Sequence, residues 1–411
     1  MDTNVTELKK PTNEEKSKEL IEQFSKLKKV NLWFYYGYFR PGKRAAEVYL
    51  DGKRYISFST NNYLGLSKSP KVISAVIKAV KSYGVGTGAS FAVTGGTLYH
   101  KMLQDALKDF YHYEDALLFS SGYMANGAVV TAFAEEGLKV FCDKYLHISF
   151  TRALKLHDIE PIEFEHNDVA DLKQKIDSEF RQNPNAKSLI ITESLFSQDG
   201  DIARIDLISQ LAKQYKATLV VDDAHGLGTI GKHGYGILEY FNLSANDVPV
   251  LTGAMNKSLG SHGGYILSSR KIIELIKMKS YELVFTSSLP AMIMASACVS
   301  LNEIKTNLKL FKRLQSNIMY FRNALAKLDI PLPKEVTPII PIIFGSAEET
   351  CRMSGLLRGK GIIAIPMIPP AVPRDASRIR FQITCGHTIA DMNKVIQILK
   401  KEKVGGLALR A

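Results

Sequence analysis

The chain has 411 residues, of which 45% are hydrophobic and 23% are charged. This globular composition supplies enough apolar material for a large core and a smaller second unit. No apolar run approaches the roughly 20 residues that a membrane span needs, and the charged N-terminal residues exclude a secretory signal, so we expect a cytoplasmic protein.

The cysteines and the net charge narrow the class of protein further. Cys142, Cys298, Cys351 and Cys385 lie far apart and form no CxxC pair, which predicts free thiols and no zinc or other metal site. The net charge is +12. It would favour an acidic substrate, an acidic carrier protein or peripheral membrane contact, but it also fits an ordinary solvated surface. No nucleic-acid-binding module is present, so we expect no nucleic-acid partner.

The first 60 residues predict an N-terminal unit in three parts. Residues 13–29 have the pattern of a polar helix, and the aromatic arm VNLWFYYGYFRP follows at residues 30–41. Residues 45–60 predict a β-hairpin, because the pair Asp51 and Gly52 suits the positive backbone angles of a two-residue turn.

Residues 61–295 alternate short apolar runs with amphipathic helical stretches. This alternation predicts a large α/β domain, in which helices cover both faces of a mainly parallel sheet. The strand candidates are DALLFSS, LKVFCD, AKSLIITES, ATLVVDDAH and VPVLTGA, and the helix candidates include SPKVISAVIKAVKSYG, TLYHKMLQDALKDFYH, GYMANGAVVTAFAE and IDLISQLAKQYK. Residues 296–411 predict a smaller C-terminal α+β domain, with the strands VTPIIPIIF and SRIRFQIT.

Polar residues stand where the predicted parallel strands end. Ligands of open α/β sheets bind beyond the carboxyl ends of the strands, so these residues are expected to meet at one rim. They are Ser121, Gly122, His147, Glu193, Asp222, Asp223, His225 and Lys257.

This set of residue types fits pyridoxal phosphate. The cofactor needs an amine that is neutral near pH 7, a carboxylate that keeps its pyridine nitrogen protonated, and a helix N-terminus for its phosphate. Taken singly, Lys257 would be a surface lysine, Asp222 a helix cap, and His147 and His225 core residues. The prediction of a pyridoxal-phosphate site therefore rests on all of these residues together and on their order in the sequence.

Seven stretches, in order from about residue 45 to the end, resemble the α-oxoamine synthases. These are fold-type-I pyridoxal-phosphate enzymes that condense an amino acid with an acyl thioester and release carbon dioxide. The resemblance implies an aminotransferase-like fold with a mostly parallel central sheet and a smaller C-terminal α+β domain. The stretches are STNNYLGLSKSP, LLFSSGYMAN, ESLFSQDGDIARI, VVDDAHGLGTIGKHGYG, NKSLGSHGGYI, FTSSLP and SRIRFQITCGHTIAD.

The resemblance implies a catalytic role for four residues. Lys257 would bind the cofactor covalently and move the α-proton of the substrate, and Asp222 would pair with the pyridinium nitrogen. His225 would hydrogen-bond the phenolic oxygen of the ring, and His147 would stack on the ring.

Binding roles are implied for eight further residues. Arg380 would hold the amino-acid carboxylate with two parallel hydrogen bonds, and Asn61 would face the bound substrate. Thr286 and Ser287 would reach a phosphate in the neighbouring subunit, which implies a homodimer with shared active sites. The remaining cofactor contacts would come from Ser121, Gly122, Tyr123 and Ser197.

Three positions depart from the pattern of the family. Ala254 stands where the family has a phosphate-binding threonine, which predicts the loss of a hydrogen bond worth roughly 1 kcal/mol. Asn256, next to the lysine, is a candidate replacement. Phe91 stands where relatives have an arginine near the substrate entrance, so the choice of substrate stays open.

The finer resemblance is to bacterial serine palmitoyltransferases, through the stretches WFYYGYFRP, VDDAHGLG and PMIPPAVPRDASRIRF. It implies L-serine and a long-chain acyl-CoA or acyl carrier protein as substrates. The open alternatives within the family are 8-amino-7-oxononanoate synthase, 2-amino-3-ketobutyrate CoA ligase and a signal or secondary-metabolite synthase. Alternatives of another class are an aminotransferase and a non-catalytic partner subunit.

Overall fold

A computed structural model of the chain describes residues 37–369 and 371–404, together with six residues near the N-terminus, Glu14, Ser17, Lys18, Ile21, Glu22 and Ser25. These six residues are helical. The rest of the helix predicted at 13–29, and residues 30–36 of the predicted aromatic arm, lie outside the described residues.

The predicted hairpin forms near the start of the described chain. Strands β1 (Arg40–Pro41), β2 (Glu47–Leu50) and β3 (Lys53–Ser57) are antiparallel, and Asp51 and Gly52 make the β2–β3 turn with φ angles of 50° and 75°. Strand β12 (Ile362–Ile363) adds to β3 in parallel. The N-terminal hairpin and a C-terminal segment therefore share one sheet.

A seven-stranded sheet forms the centre of the molecule. Its order is β4-β10-β9-β8-β7-β5-β6, and the five strands from β9 to β6 are parallel. Strand β10 runs antiparallel to both of its neighbours, because the nine residues between β9 and β10 are too few for a crossover connection. The strands are β4 (Asp115–Phe119), β5 (Lys139–Asp143), β6 (Ile162–Phe164), β7 (Ser188–Glu193), β8 (Thr218–Asp222), β9 (Val250–Ala254) and β10 (Gly264–Ser268).

Successive residues of the central strands enter two different apolar cores. Ile190 and Val221 belong to one core, whereas Ile191 and Val220 belong to the other. Side chains alternate between the two faces of a strand, so both faces of the sheet are covered, as predicted for parallel strands. The described helices are Pro70–Tyr83, Leu98–Tyr111, Gly122–Phe133, Ile148–Leu156, Val169–Gln182, Ile205–Gln214, Ile237–Phe241, Arg270–Lys279, Tyr281–Val284, Ala291–Thr306, Leu308–Ala326, Ala347–Gly359 and Ile389–Lys401.

The C-terminal part contains a three-stranded antiparallel sheet in the order β11-β14-β13. Its strands are β11 (Ile339–Gly345), β13 (Pro366–Met367) and β14 (Ser377–Gln382). The predicted division of the chain into units 1–60, 61–295 and 296–411 stays a prediction. Within the described ranges, no helix has both the length and the apolar character to cross a bilayer.

Candidate active site

A cavity of about 400 Å³ lies beyond the carboxyl ends of β5, β7, β8 and β9. It brings together ten of the twelve site residues that the sequence predicts. The segment before β4, the turn after β4 and strand β14 also contribute to its walls. The ten residues are Asn61, Ser121, Gly122, Tyr123, His147, Ser197, Asp222, His225, Lys257 and Arg380.

Lys257 follows β9 in a tight turn that opens onto the cavity. Gly260 has a φ of 58°, and a Cβ there would lie 2.4 Å from the backbone nitrogen of Ser67. The glycine therefore permits a close backbone approach that a larger residue would block. Burial lowers the pKa of Lys257 to about 8, although the negative charges of Asp222 and Glu193 oppose the shift. The neutral fraction of the amine near pH 7 is therefore much larger than that of an ordinary lysine.

Asp222, the last residue of β8, is held at both oxygens. Its Oδ1 accepts a 2.9 Å hydrogen bond from the backbone N–H of Ala224. Its Oδ2 accepts a 2.7 Å bond from the Nδ2 of Asn126. These two contacts fix the position and the orientation of the Asp222 carboxylate at the edge of the cavity.

His147 caps the helix Ile148–Leu156 with its own ring. Its Nδ1 accepts the backbone N–H of Ser149 at 3.3 Å and lies 2.8 Å from the hydroxyl of the same residue. Much of the ring is accessible from the cavity, yet burial of its surroundings lowers the pKa of His147 against the attraction of Asp222. The ring is therefore neutral near pH 7, with its proton on Nε2.

His225 and Tyr63 form a buried neutral pair beside the cavity. The tyrosine hydroxyl lies 2.9 Å from His225 Nδ1 and 3.3 Å from Asn61 Oδ1. Burial lowers the pKa of His225 well below its ordinary value and raises the pKa of Tyr63 to about 12. Asn61 Oδ1 also accepts from Gln382 Nε2, so the amide nitrogen of Asn61 is left to donate elsewhere.

Two arginines on the same face of β14 hold the loop that carries Ser197. Arg380 donates from Nη1 to the carbonyl oxygen of Ser197 at 2.6 Å. Arg378 donates to the carbonyl of Gln198 at 3.4 Å and pairs with Asp199. Burial lowers the pKa of Arg380, but a guanidinium starts so high that it stays charged. Arg380 therefore brings a positive charge to the cavity.

The helix Gly122–Phe133 points its N-terminus at the cavity. The Ser121 hydroxyl caps it by accepting the N–H of Met124 at 3.2 Å. The first N–H groups of a helix have no partner within it, and with the helix dipole they bind anions. A Cβ on Gly122 would lie 3.1 Å from the Cβ of Ala254, so Ala254 presents only a methyl group at this point.

Thr286 and Ser287 lie outside this cavity. They line a separate small hollow with Phe91 and His100. The backbone next to them is fixed, because the N–H of Ser288 donates to the carbonyl of Ala89 at 3.0 Å. The predicted contact of Thr286 and Ser287 with the site of a neighbouring subunit stays a prediction.

Several cavity residues had no assigned role in the sequence analysis. Burial raises the pKa of Glu193 to about 8, with Asp222 adding to the shift. Asn126 lies one helical turn after Gly122, on the face that meets the strand ends, and that helical spacing is the signal that could have identified it. The other newly found cavity residues are Gln198, Ala224, His262, Gly263 and Met367. In the described part of the chain, no group of three or more His, Cys, Asp or Glu side chains is arranged to hold a metal ion.

Sequence and fold resemble known proteins along most of the chain. Residues 53–399 match the sequence model of the aminotransferase class I and II family. A putative 8-amino-7-oxononanoate synthase of Desulfovibrio desulfuricans is 36% identical over 359 residues, which are 87% of this chain and 92% of that protein.

Two solved serine palmitoyltransferases have the same fold. The enzyme of Sphingomonas wittichii superimposes with a TM-score of 0.89 at 27% identity, over 97% of this chain and 100% of its own. A serine palmitoyltransferase solved with PLP gives a TM-score of 0.89 at 28% identity, over 97% of this chain and 99% of its own.

Proposed function

Because the chain belongs to the aminotransferase class I and II family, and within it to the α-oxoamine synthases, we propose that it condenses an amino acid with an acyl thioester. It is a pyridoxal-phosphate-dependent acyltransferase. The products would be an α-amino ketone, carbon dioxide and a free thiol. One observation carries the proposal. A single cavity joins Lys257, Asp222 and two neutral histidines to the arginine Arg380.

The residues present fit pyridoxal phosphate. The pKa of Lys257, lowered to about 8 by burial, suits an amine that binds a carbonyl group. Asp222, held by two hydrogen bonds, would face the pyridine nitrogen, and His225 and His147 would contact the ring. The phosphate would bind the free N–H groups at the N-terminus of the helix Gly122–Phe133. When bound, the cofactor supplies an electron sink for the negative charge that develops at the α-carbon of the substrate.

The surrounding side chains would orient the substrates and move protons. Arg380 would hold the amino-acid carboxylate, and Lys257 would take the proton from the α-carbon and later return it. The pKa of Lys257, lowered by burial to about 8, is close enough to neutral pH for both directions of transfer. His147, with its proton on Nε2, would donate a hydrogen bond to the thioester oxygen. Asn61, whose amide oxygen is already occupied, would donate to the substrate.

Two pairs of substrates are supported, one by the similarity in fold and the other by the similarity in sequence. The fold matches serine palmitoyltransferases along nearly the whole chain, which favours serine and a long-chain acyl thioester. In sequence, the chain is similar to a protein named 8-amino-7-oxononanoate synthase, which supports the reaction of that enzyme as the second candidate. The net charge of +12 suits either an acidic acyl carrier protein or coenzyme A as the donor, with membrane contact as a further option.

We also propose that the protein is a homodimer. Thr286 and Ser287 lie outside the cavity of their own subunit, which would leave them available to the cofactor phosphate of a second copy. We expect the enzyme to act in the cytoplasm.

The proposal is tested by spectroscopy and by product analysis. The absorbance of the PLP-loaded enzyme is titrated with glycine, alanine, serine and cysteate, and the expected substrate shifts the spectrum at the lowest concentration. Palmitoyl-CoA and pimeloyl-CoA are then added with that amino acid, and free thiol and carbon dioxide are measured. Equal amounts of both products are expected. Transfer of the amino group without thiol release would identify an aminotransferase, and no spectral response to any amino acid would identify a non-catalytic subunit.

A further inference from the structure

We propose that Asn126 is a positioning residue that fixes two groups of the active site with one side-chain amide. It would hold the carboxylate of Asp222 directly and orient the imidazole of His147 through Ser149. The inference rests on the proposed function, since it concerns how these two residues receive the cofactor.

The first arm joins Asn126 to Asp222. Asn126 is buried, with 2% of its surface exposed, and its Nδ2 lies 2.7 Å from Asp222 Oδ2. An ionised carboxylate only accepts hydrogen bonds, so the amide nitrogen must face it. The amide oxygen then accepts the hydroxyl of Thr252 at 2.7 Å. Strands β8 and β9 therefore determine how the amide is turned.

The second arm runs from the same nitrogen to His147. Asn126 Nδ2 also donates to Ser149 Oγ at 2.9 Å. Because that oxygen accepts from Asn126, its own proton is directed to His147 Nδ1 at 2.8 Å. The backbone N–H of Ser149 points at the same nitrogen. Both contacts make Nδ1 an acceptor, so Nε2 carries the ring proton and becomes the donor toward the cavity.

Every hydrogen-bonding site of the Asn126 amide that faces the active site is therefore used. Both of its N–H groups donate to active-site partners, and its oxygen accepts from the strand beside Asp222. Removal of the amide would release Asp222 from one of its two donors and would free the Ser149 hydroxyl to turn away from His147. Through these partners, Asn126 would thus affect both the carboxylate opposite the ring nitrogen and the donors that hold the stacking histidine.

The principal test compares Asn126→Leu with Asn317→Leu. Asn317 is a matched control, because its buried amide bridges the carbonyls of Thr384 and His387, at 2.9 and 3.0 Å, away from the cavity. The dissociation constant of PLP is measured by titrating each apoenzyme, with thermal unfolding in parallel. We expect Asn126→Leu to weaken PLP binding by about tenfold or more, as the loss of a hydrogen bond to a charged group should. The control should change it less than about twofold at a similar loss of Tm.

Asn126→Asp gives a readout that a purely structural role would not produce. It places two carboxylates within hydrogen-bonding distance, and such a pair shares one proton. The absorbance of bound PLP should then gain a pH-dependent transition, between about pH 5 and pH 9, that the wild-type protein lacks. Ser149→Ala tests the second arm alone. It should lower kcat by about tenfold, while the dissociation constant of PLP stays within about threefold of the wild-type value.

The outcomes separate this inference from the proposed function. Wild-type apoenzyme that binds no PLP would refute the proposed function itself. Wild-type enzyme that binds PLP, with Asn126→Leu indistinguishable from Asn317→Leu and no new transition in Asn126→Asp, would overturn the role of Asn126. If Asn126→Leu does not fold, Asn126→Asp and Ser149→Ala decide the question on the same criteria.

Discussion

The molecule contains two neighbouring clusters of buried and half-buried acids and bases, in which the pKa values shift in opposite ways. The first surrounds Lys257, where burial dominates. It lowers the pKa of Lys257 to about 8 and raises the pKa of Glu193 to about 8. The second surrounds His166, which lies 2.9 Å from Asp143 and 3.1 Å from Asp201. Burial alone would lower the pKa of His166, but its two carboxylate partners outweigh burial and raise the value to about 10.

The difference teaches that the direction of a pKa shift indicates the role of a buried group. In the cavity, burial brings Lys257 and Glu193 toward their neutral forms near pH 7, where they can exchange protons. In the second cluster, the His166 imidazole lies between two carboxylates and keeps its proton near pH 7, which suits a structural role. The clusters are close along the chain, since Asp143 precedes His147 by four residues and Asp201 follows Ser197 by four. The second cluster therefore anchors both segments that carry cavity residues.

The largest expected effect is that of Lys257→Ala. If the cavity lysine is the group that binds the cofactor and moves the α-proton, its loss should lower kcat by about 10²–10⁴-fold. Borohydride treatment should no longer attach PLP to the chain, which mass spectrometry measures directly. Lys271→Ala, at an exposed lysine of the helix Arg270–Lys279, is the control and should retain wild-type activity. Unchanged activity of Lys257→Ala would refute the assignment of the cavity.

The second prediction concerns stability and tests the fixed charge of His166. His166→Asn leaves Asp143 and Asp201 without their cationic partner, which should lower the free energy of unfolding by roughly 3 kcal/mol at pH 6. Denaturant unfolding of the apoprotein measures the difference. No loss of stability at pH 6 would mean that the cluster is not charged as the contacts indicate.

The pH dependence of that difference follows from the raised pKa of His166. An unfolded histidine titrates near ~6.5, whereas the two carboxylates raise the folded pKa to about 10. The charged His166 stabilises the folded state fully below about pH 6.5. Between about pH 6.5 and about pH 10 only the folded state keeps the proton, so this stabilisation declines, and it is lost as the pH rises through about 10. The gap between wild type and His166→Asn should therefore narrow from pH 6 to pH 10. His112→Asn is the control, because His112 is exposed and has a φ of 59° that asparagine tolerates, so the free energy of unfolding at pH 6 should change by less than about 0.5 kcal/mol.

Local signals in the sequence were sufficient for much of the fold and for the cavity. The Asp51–Gly52 pair predicted its turn because the required backbone angles depend on those two residues alone. The pattern of buried strands predicted which edge of the sheet would carry the site, and ten predicted residues meet there. The rule on strand ends accounts for six of them, whereas the other four were implied by the resemblance to the α-oxoamine synthases. The six are Ser121, Gly122, His147, Asp222, His225 and Lys257, and the four are Asn61, Tyr123, Ser197 and Arg380.

Features that depend on contacts between remote residues were not predictable in this way. Asn126 meets Asp222, which is 96 residues away, and Thr252, which is 126 residues away. The antiparallel strand β10 has a short apolar sequence like that of a parallel strand, and only its short connection to β9 sets its direction. From the sequence alone, His166 looks like an ordinary loop residue, because only the fold places Asp201 beside it. Sequence periodicity contains no information about such pairings.

A third, smaller effect is expected for Arg380→Lys. Lysine keeps the positive charge but loses the two parallel donors that a carboxylate accepts, so the KM for the amino acid should rise by about 10–100-fold. The KM for the acyl thioester should change little. Arg374→Lys, at an exposed arginine before β14, is the control. A larger rise in the KM for the thioester would mean that the carboxylate binds elsewhere and that Arg380 serves mainly to hold the carbonyl of Ser197.

The smallest expected effect comes from Ala254→Thr. Ala254 lines the cavity, and its methyl group faces Gly122 at the start of the helix that is proposed to bind the phosphate. A threonine hydroxyl there would add one donor, worth about 1 kcal/mol or about fivefold in the dissociation constant of PLP. Ala254→Val has the same shape without the hydroxyl, so it should give no gain. Equal affinities of the two variants would place the phosphate away from this helix, and the cavity would then need a different anion site.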